Sequence, residues 1–331
     1  MGKMKVFVTR KLPGEGVDLL RKSFDVRVAA QTGPISKTAL LKGAAWADAL
    51  VTLLTDKIDN AFLDKNSHLR VISNYAVGYD NIDIVAATKH GVMITNTPGV
   101  LTESVAEHAI ALMMCMGKRV LEADAFTRAG KYKYWDPMLL LGTEFDGKTV
   151  GVVGVGRIGS VFCKFAHALN MKILYSDVNV ASDIEQQYGA KKVDLDALLR
   201  ASDVVSIHVP LLPSTRHLID AVKLKLMKRT AFLINTSRGP VVDEKALVVA
   251  LKRKQIAGAG IDVYEFEPKL AQGLAKLHNV VLTPHIASGT FEARNEMSLL
   301  VAKNVLAALN GQTPPSLVNK DVLEGWKKTG A

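Results

Sequence analysis

Cysteine is nearly absent. The 331-residue chain has two, Cys115 and Cys163, far apart in apolar helical stretches, and no CxxC or HExxH spacing occurs anywhere. Neither a disulfide framework nor a zinc site of ordinary spacing can organise such a chain, and no metal is expected. Long hydrophobic runs are lacking as well. The longest fully apolar run, Ala109 to Met116, is far short of the roughly 20 residues that span a bilayer, so no membrane partner is expected. The N-terminus reads MGKMKVFVTR, two lysines followed at once by an alternating run, with no secretory core. A soluble cytoplasmic protein is the expectation. Lys plus Arg outnumber Asp plus Glu by 42 to 32, a net +10 with pI near 9.4. These charges lie in twos and threes (Lys118-Arg119, Lys191-Lys192, Lys252-Arg253-Lys254) without interleaved aromatics, unlike a single-strand binder. No nucleic-acid partner is expected; a solvated basic surface that attracts small anions accounts for the excess.

What is present is material for large cores: 48% hydrophobic residues and a mean hydropathy of +0.15, enough for one large core or two medium ones. Short β-branched runs alternate with helical stretches from the start: KVFVT, VRVAA, ALVTLL, RVISNYA and VMITN, separated by GVDLLRKS, KTALLKGA, NAFLDKN and DIVAATKHG. That rhythm predicts a parallel sheet with crossover helices. One long helix is predicted from Thr102, as N-cap, to about Gly130. A second series follows, with strands in TVGVVG, MKILYSD, DVVSIHVP, TAFLINTS, IAGAGIDV and NVVLTPH, then a last helix from Phe291 to Asn310. Its strands are nearly continuous apolar runs, the sign of a sheet covered on both faces.

The second series opens on a glycine-spaced loop. Gly154, Gly156 and Gly159 follow the strand TVGVV and begin the helix RIGSVFCKFAHAL. In that setting the glycines permit a tight turn, close backbone approach to a pyrophosphate and close helix-to-strand packing, while the helix N-terminus offers free N–H groups. Asp177 ends the next strand, eighteen residues beyond Gly159, where a carboxylate accepts from ribose hydroxyls and repels a 2′-phosphate. NAD is therefore expected over NADP. Because residues 1–150 precede this series, the nucleotide domain reads as an insertion, residues 99–290, within an α/β domain of residues 1–98 plus 291–331. Crossings near Pro98 and Ser288 would act as hinges, with the ligand cleft between the domains.

Later strands of the second series end in Arg238 (NTSRG), Glu267 (DVYEFEP) and His285 (TPHIASG). Each alone has an ordinary structural explanation. Together, beside a nicotinamide, they fit reduction of a 2-oxo acid: a guanidinium fork for the carboxylate, a histidine to protonate the carbonyl oxygen, and a carboxylate that orients and favours the charged ring.

GVGRIG, NTSRGPVVDEKAL, AGAGIDVYEFEP and NVVLTPHIAS resemble the D-isomer-specific 2-hydroxyacid dehydrogenases, and NYAVGYDNIDIVAATKHGVMITNTPGVLTE resembles the glyoxylate/hydroxypyruvate reductases among them. The resemblance implies an α/β fold in which a doubly wound parallel-sheet (Rossmann) nucleotide domain is inserted into a flavodoxin-like α/β substrate domain. It implies Arg238, Glu267 and His285 as catalytic residues, with Leu53 and the backbone of Val77 and Gly78 joining Arg238 and His285 at the substrate. Arg157 and Ile158, with the glycines, fall at the pyrophosphate and Asp177 at the ribose. His208, Pro210 and Thr215 fall along the adenine, and Thr236, Asp262, Ser288 and Thr102 near the nicotinamide. A homodimer through the nucleotide domain is implied, with a small 2-oxo or 2-hydroxy acid as the other partner. Trp135 and residues 138–141 either line the substrate pocket across that dimer or pack its interface. Archaeal glyoxylate reductases often carry Ser, Arg and Thr where this chain has Asp177, Val178 and Asn179, so their NADP use does not carry over. Glyoxylate or hydroxypyruvate are the expected substrates. Phosphoglycerate, 2-ketogluconate or lactate dehydrogenases and a NAD-sensing co-repressor stand as alternatives. A formate dehydrogenase would carry Gln in place of Glu267, and a methyltransferase leaves the trio unexplained.

Overall fold

The computed structural model describes residues 2–326; Met1 and residues 327–331, which close the ends of the expected 1–98 plus 291–331 domain, lie outside the described residues. The chain divides into two units. Residues up to Leu101 join those from Gly289 onward, and Thr102–Ser288 form the second. The division thus falls a few residues inside the expected 99–290 limits. Ser104 Oγ donates to the Ala287 carbonyl at 2.9 Å, holding both ends of the second unit to one another. Thr290 caps the last long helix through its hydroxyl, so the 289–290 turn goes with that helix.

The first unit holds β1 (Lys5–Val8), β2 (Asp25–Val28), β3 (Ala49–Thr52), β4 (Val71–Asn74) and β5 (Met93–Thr95). They form a parallel sheet in the order β2-β1-β3-β4-β5, the flavodoxin-like order. Its helices are α1 (Gly16–Ser23), α2 (Lys37–Trp46), α3 (Asn60–Lys65), α4 (Ile84–Lys89) and, late in the chain, α12 (Phe291–Leu309) and α13 (Val322–Trp326). Ser36, Asp59 and Asp83 cap α2, α3 and α4, each accepting a hydrogen bond from the backbone three residues on. Leu50, Ile72 and Ile94 point one face of the sheet into a core shared with Leu40, Phe62 and Leu63 of α2 and α3.

The second unit begins with α5 (Thr102–Gly117) and α6 (Val120–Arg128). The predicted single helix to Gly130 is therefore two helices, because Arg119 takes a left-handed conformation (φ 55°) that ends the first run of i→i−4 bonds. Thr102 is the first helical residue rather than the cap before it. Then come β6 (Thr149–Val153), α7 (Arg157–Ala168), β7 (Lys172–Ser176), α8 (Ser182–Tyr188), β8 (Lys191–Lys192), α9 (Leu195–Ala201), β9 (Val204–Ile207), α10 (Ala221–Leu226), β10 (Phe232–Asn235), α11 (Glu244–Lys252), β11 (Gly258–Ile261) and β12 (Val280–Leu282). The parallel order β12-β11-β10-β9-β6-β7-β8 is that of a doubly wound nucleotide-binding sheet with one further strand. One face packs Val150, Val152 and Ile234 against Met113, Phe162 and Cys163; the other packs Val205, Leu233 and Ala259 against Leu198, Leu224, Leu247 and Leu251. Each such buried aliphatic or aromatic side chain contributes about 1.5–3 kcal/mol relative to exposure, which is why these strands read as unbroken apolar runs. Burial pushes the Cys163 thiol up to about 12, so it serves as a core hydrophobe. Among the described residues, no helix is long and apolar enough to cross a membrane.

Candidate active site

β6 ends at Val153, and Gly154 turns the chain with φ +88°, a conformation that a side chain resists. A Cβ on Gly159 would lie 2.1 Å from the Gly154 carbonyl oxygen, so the helix can start this close to the strand only without one. Gly156, the N-cap of α7, offers no side chain to the first-turn amides, and a Cβ there would meet nothing within 4 Å. The helix end carrying Arg157, Ile158 and Gly159 is thus open and electropositive, as a pyrophosphate requires. Asp177, directly after β7, ties this loop to its neighbour: Oδ2 accepts from the Val155 N–H at 2.8 Å and Oδ1 from the Asn179 N–H at 3.0 Å.

Apart from Thr102, the other expected cofactor residues follow the carboxyl ends of strands of the same sheet. His208 follows β9, and its Nε2 lies 2.8 Å from Ser206 Oγ; burial against Phe162 pushes the imidazole down to about 3, so it stays neutral. Thr215 Oγ1 donates to the Pro210 carbonyl at 2.6 Å and accepts from the Leu212 N–H at 2.8 Å, closing the turn after β9. Thr236 follows β10, and its buried Oγ1 has no hydrogen-bond partner among the described residues. A buried unpaired hydroxyl at this edge suits a ligand that supplies the missing partner. Thr102 begins α5, and the Ser104 bond to Ala287 brings that helix start beside Ser288.

Arg238, Glu267 and His285 follow β10, β11 and β12, three adjacent strands, and so gather at one edge. The Asn235 side chain shapes the first turn, donating to the Arg238 carbonyl at 3.0 Å and accepting from the Ser237 N–H at 3.0 Å. His285 Nδ1 lies 2.9 Å from Glu267 Oε2, while Glu267 Oε1 accepts from the Tyr264 N–H at 2.9 Å. Partial burial opposes ionisation of Glu267. The hydrogen bond and charge of His285, the Tyr264 N–H and the nearby Arg238 charge together hold it below the usual carboxylate range.

Asp262, fully buried at the end of β11, fixes the turn that presents His285. His285 itself has φ 55°, and its N–H donates to the Asp262 carbonyl at 2.9 Å. The Asp262 carboxylate accepts from Thr283 Oγ1 (2.6 Å) and from the N–H groups of Ile286 and Ala287 (2.9 Å each). His108 on α5 completes the cluster, with Nε2 at 3.0 Å from Thr283 Oγ1 and 3.5 Å from Asp262 Oδ1. Burial alone would raise the Asp262 carboxyl, and these hydrogen bonds outweigh it and hold the group low. A left-handed histidine costs of order 1–3 kcal/mol, and the clamp around Asp262 supplies what keeps it there. The sequence reading missed His108, although a titratable residue in the otherwise apolar stretch AEHAIALMM signals a polar partner. It also missed Asn235, whose signal is an amide at a strand end, where β-propensity disfavours it.

Leu53, Val77 and Gly78 belong to the first unit, after β3 and β4. The Asn96 side chain donates to the Val77 carbonyl at 2.7 Å, that of Asn74 to the Gly78 carbonyl at 2.9 Å, and that of Asn81 to the Leu53 carbonyl at 3.1 Å. Among the described residues, the N–H groups of Val77 and Gly78 make no hydrogen bond.

Comparison with known proteins agrees with this geometry. Residues 110–287 match the D-isomer specific 2-hydroxyacid dehydrogenase, NAD binding domain family. A glyoxylate reductase of Thermococcus litoralis is 49% identical over 97% of this chain and 98% of its own. The crystal structure of a Thermus thermophilus protein superposes with a TM-score of 0.90 at 41% identity, covering 95% of this chain and 100% of that one. An NADPH-dependent glyoxylate/hydroxypyruvate reductase from Sinorhizobium meliloti superposes with a TM-score of 0.85 at 29% identity, over 97% of this chain and 98% of that one. The chain belongs to the D-isomer-specific 2-hydroxyacid dehydrogenase family. It is an oxidoreductase of the 2-oxo/2-hydroxy acid couple, with the family's NAD-binding domain.

Proposed function

We propose that this enzyme uses NADH to reduce a small 2-oxo acid, glyoxylate or hydroxypyruvate, to the 2-hydroxy acid, of D configuration where the product is chiral. The observation that carries the reading is the 2.9 Å pairing of His285 Nδ1 with Glu267 Oε2 at the sheet edge that also bears Arg238. The residues of the glycine loop and the sheet edge would hold the dinucleotide, which when bound would supply the hydride for reduction of the carbonyl. Arg238 binds the substrate carboxylate and carbonyl through its guanidinium fork. His285 holds one proton at Nδ1 toward Glu267 and releases the other, at Nε2, to the carbonyl oxygen. Glu267 stabilises the cationic ring before transfer and keeps Nε2 aimed outward. Leu53 and the unpaired N–H groups of Val77 and Gly78 are assigned to the substrate and its carboxylate.

Asp177 supports NADH over NADPH, since its carboxylate is fixed at the end of β7 and disfavours a further negative charge. Arg157 and Ile158 take the pyrophosphate, His208, Pro210 and Thr215 the adenine side, and Thr236, Asp262, Ser288 and Thr102 the nicotinamide side. A homodimer through the second unit is part of the reading, supported by exposed Leu121, Tyr134, Trp135 and Met138 on and after α6. Two free cysteines suit the cytoplasm.

The test is loss of NADH absorbance with glyoxylate, hydroxypyruvate, pyruvate and 2-ketogluconate. Highest kcat/KM on glyoxylate or hydroxypyruvate is expected. A preference for either of the others would reassign the substrate, and no turnover on any would overturn the reading.

A further inference from the structure

We infer that Glu244 is a positioning residue for the proton-delivering pair, its carboxylate fixing both ends of the loop that carries Glu267. The inference rests on the roles proposed for Glu267 and His285.

Glu244 is the first residue of α11 and is buried, 4% exposed. Its Oε2 accepts from the Glu265 N–H at 2.7 Å and its Oε1 from the Ala271 N–H at 2.7 Å. One carboxylate therefore spans the seven-residue segment 265–271, with Glu267 between the two attachment points. Phe266, Glu267, Pro268 and Lys269 are exposed, so the middle of this loop has little core packing to hold its shape, while Leu270 and Ala271 pack on the core beyond it. The hydrogen bonds to Glu244 take that part.

The attachment is reciprocal. Glu265 Oε2 accepts from the Glu244 N–H at 3.4 Å, while its Oε1 lies 2.8 Å from His217 Nε2 and 3.6 Å from Arg216. Between the partners, the chain leaving Arg238 runs against the chain entering the Glu267 loop. A Cβ on Gly239 would fall 1.9 Å from the Tyr264 carbonyl carbon, so only glycine permits the approach. Through Glu244 the segment after Arg238 and the loop of Glu267 share one anchor, and Glu267 in turn holds the His285 ring.

A purely structural alternative exists, because an acidic residue in the first turn stabilises a helix through its dipole. A change confined to α11 stability lowers the melting temperature without altering turnover of the folded enzyme. A misaligned Glu267 lowers kcat instead, because displacement of about 1 Å at a catalytic group costs on the order of 10² in rate.

The experiment measures kcat and KM on the best oxo acid, NADH affinity by fluorescence, and melting temperature in the full-length enzyme. The variants are Glu244→Gln, Glu244→Asp, Glu267→Gln and the two doubles. Glu244→Gln puts an NH₂ where one N–H needs an acceptor; Glu244→Asp keeps both oxygens but shortens their reach, and it decides the matter if the glutamine variant does not fold. The expected result is a fall in kcat of about 10- to 100-fold with NADH affinity unchanged, and most of that fall disappearing in the Glu267→Gln background, as for residues acting through one another. Unchanged kcat in the folded Glu244 variants, or a fall of equal size in the Glu267→Gln background, overturns the inference while leaving the Glu267–His285 pair standing. If Glu267→Gln itself leaves kcat and its pH dependence unaltered, the pair fails, and the role of Glu244 fails with it.

Discussion

Nδ1 of His285 lies 2.9 Å from Oε2 of Glu267, although eighteen residues separate them in the chain. The parallel sheet makes this contact, because β11 and β12 are neighbours in register, with Ile261 opposite Leu282, and both residues follow their strands at the same edge. A carboxylate in that position attracts a charged ring, whose charge in turn helps hold Glu267 below the usual carboxylate range, and a charged ring is what delivers a proton in reduction. Glu267→Gln keeps the hydrogen bond and removes the charge. Reduction should then decline at lower pH than in the parent, as a shift of the basic limb of the kcat/KM profile. An unmoved limb means that His285 is tuned by something else.

Asp177→Ser should relax the preference for NADH. The substitution removes a charge that opposes a 2′-phosphate together with the anchor of the Val155 N–H. The ratio of kcat/KM for NADH to that for NADPH should fall by about tenfold or more, the scale of one charge interaction of roughly 1.4 kcal/mol or above. A parent enzyme more efficient with NADPH would contradict the assignment outright.

The glycine loop separates stability from binding. A Cβ at Gly159 would lie 2.1 Å from a backbone oxygen, whereas one at Gly156 would meet nothing within 4 Å. Gly159→Ala should destabilise the second unit by about 1–3 kcal/mol, the usual cost of overpacking. Gly156→Ala should leave the melting temperature near that of the parent yet weaken NADH in a fluorescence titration, because the added methyl group occupies the approach to the helix N-terminus. Equal NADH affinity in parent and Gly156→Ala would remove the pyrophosphate from this loop.

Asp262 ties stability to pH in a definite direction. Its carboxyl is held below the ordinary value of 3.8, despite burial, by bonds from His108, Thr283, Ile286 and Ala287. A group lowered in the folded state adds stability that is complete above its unfolded value and is lost as pH falls through the folded one. Asp262→Asn leaves at least one buried N–H unpaired and should cost about 1–3 kcal/mol at pH 7. The gap between parent and variant in chemical denaturation should narrow below pH 3.8. A gap that widens there would reverse the assignment.

Much of this was legible in the residues. Unbroken apolar strands and the spacing of Gly154, Gly156 and Gly159 indicated a covered parallel sheet and a tight strand-to-helix turn, because burial on both faces and close backbone approach leave marks that survive in sequence. That Arg238, Glu267 and His285 lie close together could be read because each comes just past a strand and parallel strands end at one edge. The strand β8 was not legible: two lysines at a sheet edge carry no apolar pattern. Nor was the break at Arg119, since the sequence around it has helical periodicity on both sides and no proline. The clamps formed by Asn235, His108 and Glu244 depend on which loops meet in space, and neither spacing nor propensity carries that information.

In the proposed mechanism His285 supplies the proton that accompanies hydride transfer to a small 2-oxo acid. Single-turnover reduction of glyoxylate by the NADH-loaded enzyme, compared between the parent and His285→Ala, tests it most directly. Measurable turnover is expected in the parent and a rate lower by about 10² to 10⁴ in the variant, the ordinary worth of general acid catalysis, with NADH bound equally well by both. A variant that reduces glyoxylate within a few-fold of the parent would contradict it.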